Sequence, residues 1–368
     1  MTRPKISQTQ IILLMIGSAL MFSYVTMPII KISSGTNIII LIFLSLAYLV
    51  ILDAPLIYFA NKNRNRSFLE TTENICAIIK VALFLYLITL AYSIFVFNSI
   101  VIQFMKASIT PGIPEWGITL AVLIAAFANS YKGVGVLARV SVIFVLILLF
   151  SILLFALFSI PDLDISRLLP VYEKSNFMEL NKCAILIATI STEATILVFF
   201  GGCINEKLSI KRTYITSITI YLICLIIIVL PTIMILGNKY APMLLNPYYT
   251  FARQIKLYDS LERFHILSIL AGFPCIIMRI GTKSLIGKEI IDTIFKKKTR
   301  NGIVILVFIL VIMISMNMFK NFKIVLLNLN FYANIMLIGH ILLIIICFGI
   351  WIAKKKSCND KRYGTGGS

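Results

Sequence analysis

Apolar residues run along this chain in blocks of about 20, separated by short polar stretches, and a block of that length is what an α-helix needs to cross the hydrocarbon core of a bilayer. The pattern predicts ten spans, at 9–31, 36–60, 81–105, 116–131, 137–161, 182–204, 213–237, 263–282, 300–319 and 330–353. An even number places both termini on one side. Most Lys and Arg residues fall on that side, among them Lys62, Arg64, Arg66, Lys207, Lys211, Arg212, Lys296 to Lys298 and Lys354 to Lys356. The positive-inside rule then predicts cytoplasmic termini.

Two connections carry helical periodicity of their own. Ser67-Phe-Leu-Glu70 has capping-box spacing and precedes Ile75, Cys76, Ile78 and Ile79, which predicts a short interfacial helix. Past the eighth span, Ile286, Ile290, Ile291, Ile294 and Phe295 recur at helical spacing beside Lys288 and the Lys296–Lys298 cluster, predicting a helix that continues out of the membrane toward anionic headgroups. Two longer loops, 162–181 and 238–262, fall outside; the second is expected to cover an external entrance.

Polar residues inside the apolar blocks are the next signal. In the first span Gly17, Ser18, Ser23, Tyr24, Thr26 and Pro28 interrupt an otherwise greasy segment. In the sixth, Ser191, Thr192, Glu193 and Thr195 interrupt the middle, and Gly201-Gly202 loosens the end. Glu193 is the only acid between Cys183 and Phe200, in a place where a charge costs about 2.5 to 3.5 kcal/mol, so it is expected to face protein, a wet cavity or a ligand. Interrupted helices at corresponding places in two halves of five spans predict an inverted repeat, 9–161 and 182–353, within one domain spanning 1–363. Unwound amides at such breaks suit a carboxylate, and carbonyls or an acid suit an ammonium, so a zwitterionic amino acid fits both. The bland reading of Gly17 and Ser18 is a tight helix-packing face. Asp53 directly precedes Ala54-Pro55 in the second span, where supporting a kink competes with touching a ligand.

Composition narrows the class. The chain has 368 residues, 60% of them apolar and 13% charged, with a mean hydropathy of +0.98, which excludes an ordinary soluble protein. The net charge of +19 is spread over short loops, with no basic domain to track a phosphate backbone, so no nucleic-acid partner is expected. Six of the seven cysteines lie in or beside apolar segments without metal-ligand spacing, and His265 and His340 stand far apart, so neither metal nor cofactor is expected. No cleavable signal peptide is expected at the first block, and 364–368 reads as a linker or tag remnant. No Ser-His-Asp, Cys-His or phosphate-loop constellation appears, which argues against an enzyme.

Several segments resemble one family. Tyr131-Lys-Gly133-Val-Gly135-Val-Leu-Ala-Arg139 is similar to the Gly-x-x-x-x-x-Arg start of the fifth helix in spore germination permeases, the B subunits of bacterial germinant receptors. Pro247 to Arg263, closing in Leu261-Glu262-Arg263, resembles their loop before the eighth helix; Glu193 matches the acid of their sixth helix, and Ile6-Ser7-x-x-Gln10 resembles their opening. The chain departs in having Ser191-Thr192 before Glu193 where the family has Gly plus an aromatic, Gly201-Gly202 near the position of a Pro, and Phe264-His265 after Leu-Glu-Arg.

The resemblance implies an all-α integral membrane protein of the amino acid–polyamine–organocation superfamily, with a LeuT-like 5+5 inverted repeat and broken helices one and six. It implies germinant sensing in the spore inner membrane beside A and C subunits. The expected germinant is an amino acid held by Gly17, Ser18, Ser23, Ser191, Thr192 and Glu193, with Tyr92 closing the third-helix side. Asp53, Arg139, Glu262 and Arg263 are expected in structural or gating roles. The rivals are a proton- or sodium-coupled amino acid transporter and a structural subunit that binds no ligand.

Overall fold

The computed structural model describes residues 6–26, 29–30, 33, 37–64, 68–72, 77–109, 112–169, 177–204, 209–244, 246–255, 266–296 and 329–363. The predicted ninth span, 300–319, lies outside the described residues, as do Glu262 and Arg263.

The described helices are α1 (Gln8–Thr26), α2 (Ile38–Lys62), α3 (Phe68–Thr71), α4 (Ala77–Ser108), α5 (Glu115–Tyr131), α6 (Val134–Ser159), α7 (Phe177–Ser191), α8 (Ala194–Phe200), α9 (Ile210–Leu236), α10 (Pro247–Gln254), α11 (Ile266–Phe295) and α12 (Leu329–Tyr363). Helices occupy nine of the ten predicted spans, with α7 and α8 sharing the sixth. Among the described residues, six segments are long and apolar enough to cross a membrane on their own. The sixth span stands apart from the other five: 83% of its apolar window is buried, against 33–39% elsewhere. Helix six is therefore wrapped by protein, whereas the other five segments leave most of their apolar window outside the core.

Local chemistry explains the element ends. Ser7 and Gln10 exchange hydrogen bonds, Ser7 N–H to Gln10 Oε1 at 3.0 Å and Gln10 N–H to Ser7 Oγ at 3.3 Å, forming a capping box that starts α1. Just before it, Ile6 N–H donates to Cys203 O at 3.0 Å, tying the chain's opening to the end of the sixth span. Gly133 joins α5 to α6 at φ 89°, a backbone state that a side chain disfavours. This accounts physically for the glycine of the Tyr131–Arg139 motif; Arg139 itself is exposed.

Two expectations change. The interfacial helix is a single turn, Phe68–Thr71, whose Phe68 ring is buried 4.3 Å from that of Phe199, while Ile78 and Ile79 belong to the long α4. Burial of Phe68 against α8 outweighs a surface position for the segment. Gly17 and Ser18 sit inside continuous helix, because α1 runs unbroken to Thr26; Met27 and Pro28 lie outside the described residues. The packing reading applies at Gly17: a Cβ built there would collide with Val145 Cγ2 of α6, so the glycine lets α1 and α6 approach.

Helix continues past the eighth span to Phe295 as expected, but Lys288 is buried and paired with Asp292 one turn on instead of facing headgroups, because a buried charge needs a partner. In the loop after α9, α10 buries Tyr248 and Phe251, with Tyr248 against Phe155 of α6 at a ring-centre distance of 6.1 Å. The core divides into two apolar clusters. Ala184 to Ile190 of α7 belong to one and Ala194 to Phe200 of α8 to the other, so the polar residues Ser191 to Glu193 mark the seam between them.

Candidate functional site

The sixth span breaks where its sequence turns polar. Helix α7 ends at Ser191, Thr192 and Glu193 leave the helical ladder, and α8 restarts at Ala194 with Glu193 at φ −130°, ψ 15°. Ser and Thr offer the backbone competing hydrogen bonds, which favours interruption here. Breaking a helix at membrane depth frees carbonyls and amides that lipid cannot satisfy, so the surrounding protein must.

Helix α11 meets most of that need. Arg279 donates from Nη1 to Ser18 O of α1 at 2.7 Å and from Nη2 to Ile190 O of α7 at 3.1 Å, and Nη2 also lies 2.8 Å from Glu193 Oε1. Its guanidinium stacks over the Phe97 ring of α4 at 4.3 Å. Lys283, one turn along, reaches Glu193 Oε2 at 3.6 Å. Glu193, Arg279 and Lys283 are all buried, and a buried charge persists only when paired. Ser18 thus reaches the break, through its carbonyl; its Oγ is buried with no hydrogen-bond partner among the described residues.

A second cluster forms on the opposite side of the break. Asp53 accepts hydrogen bonds from Thr192 Oγ1 at 2.5 Å and from Tyr214 OH of α9 at 2.9 Å. His340 Nε2 of α12 lies 3.5 Å from Asp53 Oδ1 and donates to Leu52 O at 3.0 Å. Pro55 stands inside α2 and removes one rung of its ladder, and Asp53 two residues before it ties α2 to the broken helix and to α9. Tyr221 OH donates to Ser191 Oγ at 2.9 Å from the same face of α9.

Two small cavities flank the break. One, of about 30 Å³, opens among α4, α7, α11 and α12 and is lined by Arg279, Lys283, Thr192, Thr195 and His340 among others. The other, of about 20 Å³, is lined by Asp53, Glu193, Ser191, Tyr214 and Tyr221. Each has room for one or two waters. The cations line the first and the carboxylates the second.

Of the residues expected to hold ligand, Ser18, Ser191, Thr192 and Glu193 converge here. Gly17 packs against α6, and the side chain of Ser23 lies outside the described residues. Tyr92 does not line either cavity; half-buried, it packs with Tyr332 at 6.2 Å and Phe331 at 6.3 Å. Tyr86, Thr89, Leu90 and Ser93 face the first cavity instead, because 86, 89/90 and 93 share one helical stripe and 92 falls beside it. Sequence reasoning missed Arg279, Lys283 and Tyr214, and weighed His340 only as a metal ligand. Ending the eighth span at residue 282 left Lys283 outside it; two cations at i, i+4 inside an apolar helix were the available signal.

The same architecture is found in solved transporters. The chain matches the structure of MhsT in complex with L-phenylalanine at a TM-score of 0.66 and 14% identity, covering 95% of this chain and 89% of that one. It matches the Eremococcus coleocola manganese transporter, in complex with an aromatic bis-isothiourea substituted compound, at 0.52 and 10% identity, covering 98% and 89%. At these identities the likeness is one of fold, and with the buried break it defines an all-helical, multi-pass membrane protein with a LeuT-like architecture. More particularly, the chain belongs to the spore germination protein family, the spore permeases, whose profile matches residues 5–323. No curated protein matches the sequence.

Proposed function

We propose that this protein is the germinant-sensing subunit of a spore germinant receptor, lying in the spore inner membrane with both termini cytoplasmic. It binds a small germinant, an amino acid, at the junction of helices one and six, and passes the change to A and C partner subunits. The observation that carries the reading is Arg279, which donates to Ser18 O of α1 and Ile190 O of α7 and pairs electrostatically with Glu193. One buried side chain thus couples the two helices between which a ligand would insert.

Glu193 serves in this reading as the anchor of the break. Its two oxygens face Arg279 and Lys283, so a ligand that competes for either cation alters how α7 and α8 sit against α11. A ligand shifts such an equilibrium only by its differential affinity for the two arrangements. Replacing Glu193 with Gln is expected to change the germinant concentration needed for half-maximal germination. Wild-type sensitivity in spores that carry normal amounts of the variant overturns the assignment.

The second reading, an ion-coupled amino acid transporter, draws on the transporter architecture of the structures this chain is similar to. Against sodium coupling stands Arg279, since a carbonyl freed at a broken helix is where a coupling cation would bind and the guanidinium already occupies Ile190 O. Purified protein in liposomes separates the two: concentrative, gradient-driven amino acid uptake favours the transporter, and binding without uptake the receptor.

A further inference from the structure

We propose that the cavity among α4, α7, α11 and α12 is a binding site for a small carboxylate, or a monovalent anion of similar size, held by Lys283 and Thr195. The proposal deepens the receptor reading by placing the acidic end of an amino acid germinant against Lys283, and it rests on that reading only for the source of the carboxylate.

Charge is the first argument. Arg279 and Lys283 line this cavity and no carboxylate does, because Asp53 and Glu193 line the other one. The two cations are not equally engaged. Arg279 is committed to Glu193, two carbonyls and the Phe97 ring. Lys283 is held by a longer contact, 3.6 Å to Glu193 Oε2, and an ammonium carries three N–H donors. Glu193 alone pairs directly with both cations, and the other acid at the break, Asp53, is engaged by Thr192 and Tyr214.

Hydrogen-bond accounting is the second. An anion needs donors, and several hydroxyls around the cavity have spent theirs: Thr89 on Tyr86 O, Thr189 on Leu186 O and Thr192 on Asp53. Thr195 differs. It is 4% exposed, it lines the cavity, and its Oγ1 has no hydrogen-bond partner among the described residues. A buried hydroxyl without a partner is costly in a low-dielectric interior. The space fits the same ligand: about 30 Å³ admits two waters, whose places the two oxygens of a carboxylate can take.

The test uses purified full-length protein in detergent, titrated with formate and with bromide at fixed ionic strength against a bulky organic sulfonate. The expected result is a saturable rise of the thermal unfolding midpoint that weakens at least tenfold in apparent affinity in Lys283→Met and in Thr195→Val. The Thr195→Val arm keeps the test decisive if Lys283→Met fails to fold, since it leaves every charge in place. No saturable rise, or an equal rise in Thr195→Val, overturns the site. Formate that competes with a bound amino acid assigns the site to the germinant's carboxylate; formate that binds without competing supports a free-anion site and removes the germinant link. If the protein binds an amino acid but neither anion nor variant has an effect, this inference fails and the receptor reading stands. If anions bind and no amino acid does, the receptor reading fails and the site stands.

Discussion

Arg279 Nη2 lies 2.8 Å from Glu193 Oε1, and both side chains are almost wholly buried. An isolated charge in such a place is prohibitively expensive, so each residue exists here because of the other. Removing one partner of a buried pair costs about 3–5 kcal/mol. Glu193→Gln and Arg279→Met are each expected to lower the unfolding midpoint of the purified protein, and the double variant to fall less than the sum of the two. Additive losses in a double-mutant cycle would show that the pair is not coupled.

Close approach of α1 and α6 depends on Gly17. Because a Cβ at this position meets Val145 Cγ2, Gly17→Ala is expected to destabilise by about 1–3 kcal/mol through overpacking. Shortening the neighbour, in Gly17→Ala with Val145→Ala, should restore most of the loss. A failure of the second substitution to rescue would place the role of Gly17 elsewhere than in this contact.

The turn between α5 and α6 makes a separate demand. With Gly133 at φ 89°, any β-carbon is strained, and Gly133→Ala is expected to cost about 1–3 kcal/mol while leaving the break in helix six unaltered. Thermal unfolding should register the loss. Amino acid affinity, measured below the unfolding transition, should not.

Much of the fold was readable because its signals are local. Apolar blocks of bilayer length fixed nearly every span, the Ser-Thr-Glu patch marked the break in helix six, and Ser7-x-x-Gln10 proved to be a capping box. What escaped was the partner of each polar group. Glu193 was visible as a costly acid, but nothing near it in sequence names Arg279, 86 positions away, because the pairing is made by helix packing. Tyr92 and Tyr86 look alike in a sequence, and only the helical stripe facing α7 separates them. In the first span, glycine and serine within helix gave the same signal as a break.

Outside the membrane, the loop after α6 carries a pH-dependent element. The Ser166 hydroxyl, with its backbone N–H and Arg167 alongside, holds the exposed Asp164 carboxylate below its ordinary range, and Arg167 in turn donates to Ile235 O at the end of α9. A carboxylate whose folded-state value is lowered adds stability above its unfolded value of about 3.9, and that stability is lost as pH falls through the folded value. Limited proteolysis of this loop is therefore expected to be unchanged between about pH 5 and 8. Asp164→Asn should raise cleavage across that window.

Ligand binding at the break is the claim on which the rest depends, and equilibrium binding of a panel of labelled amino acids to the purified protein and to its Glu193→Gln variant tests it most directly. The account predicts saturable binding of at least one amino acid to the wild type, weakened about tenfold or more in the variant, a change of about 1.4 kcal/mol. No saturable binding to either protein, or equal affinity in both, would contradict it.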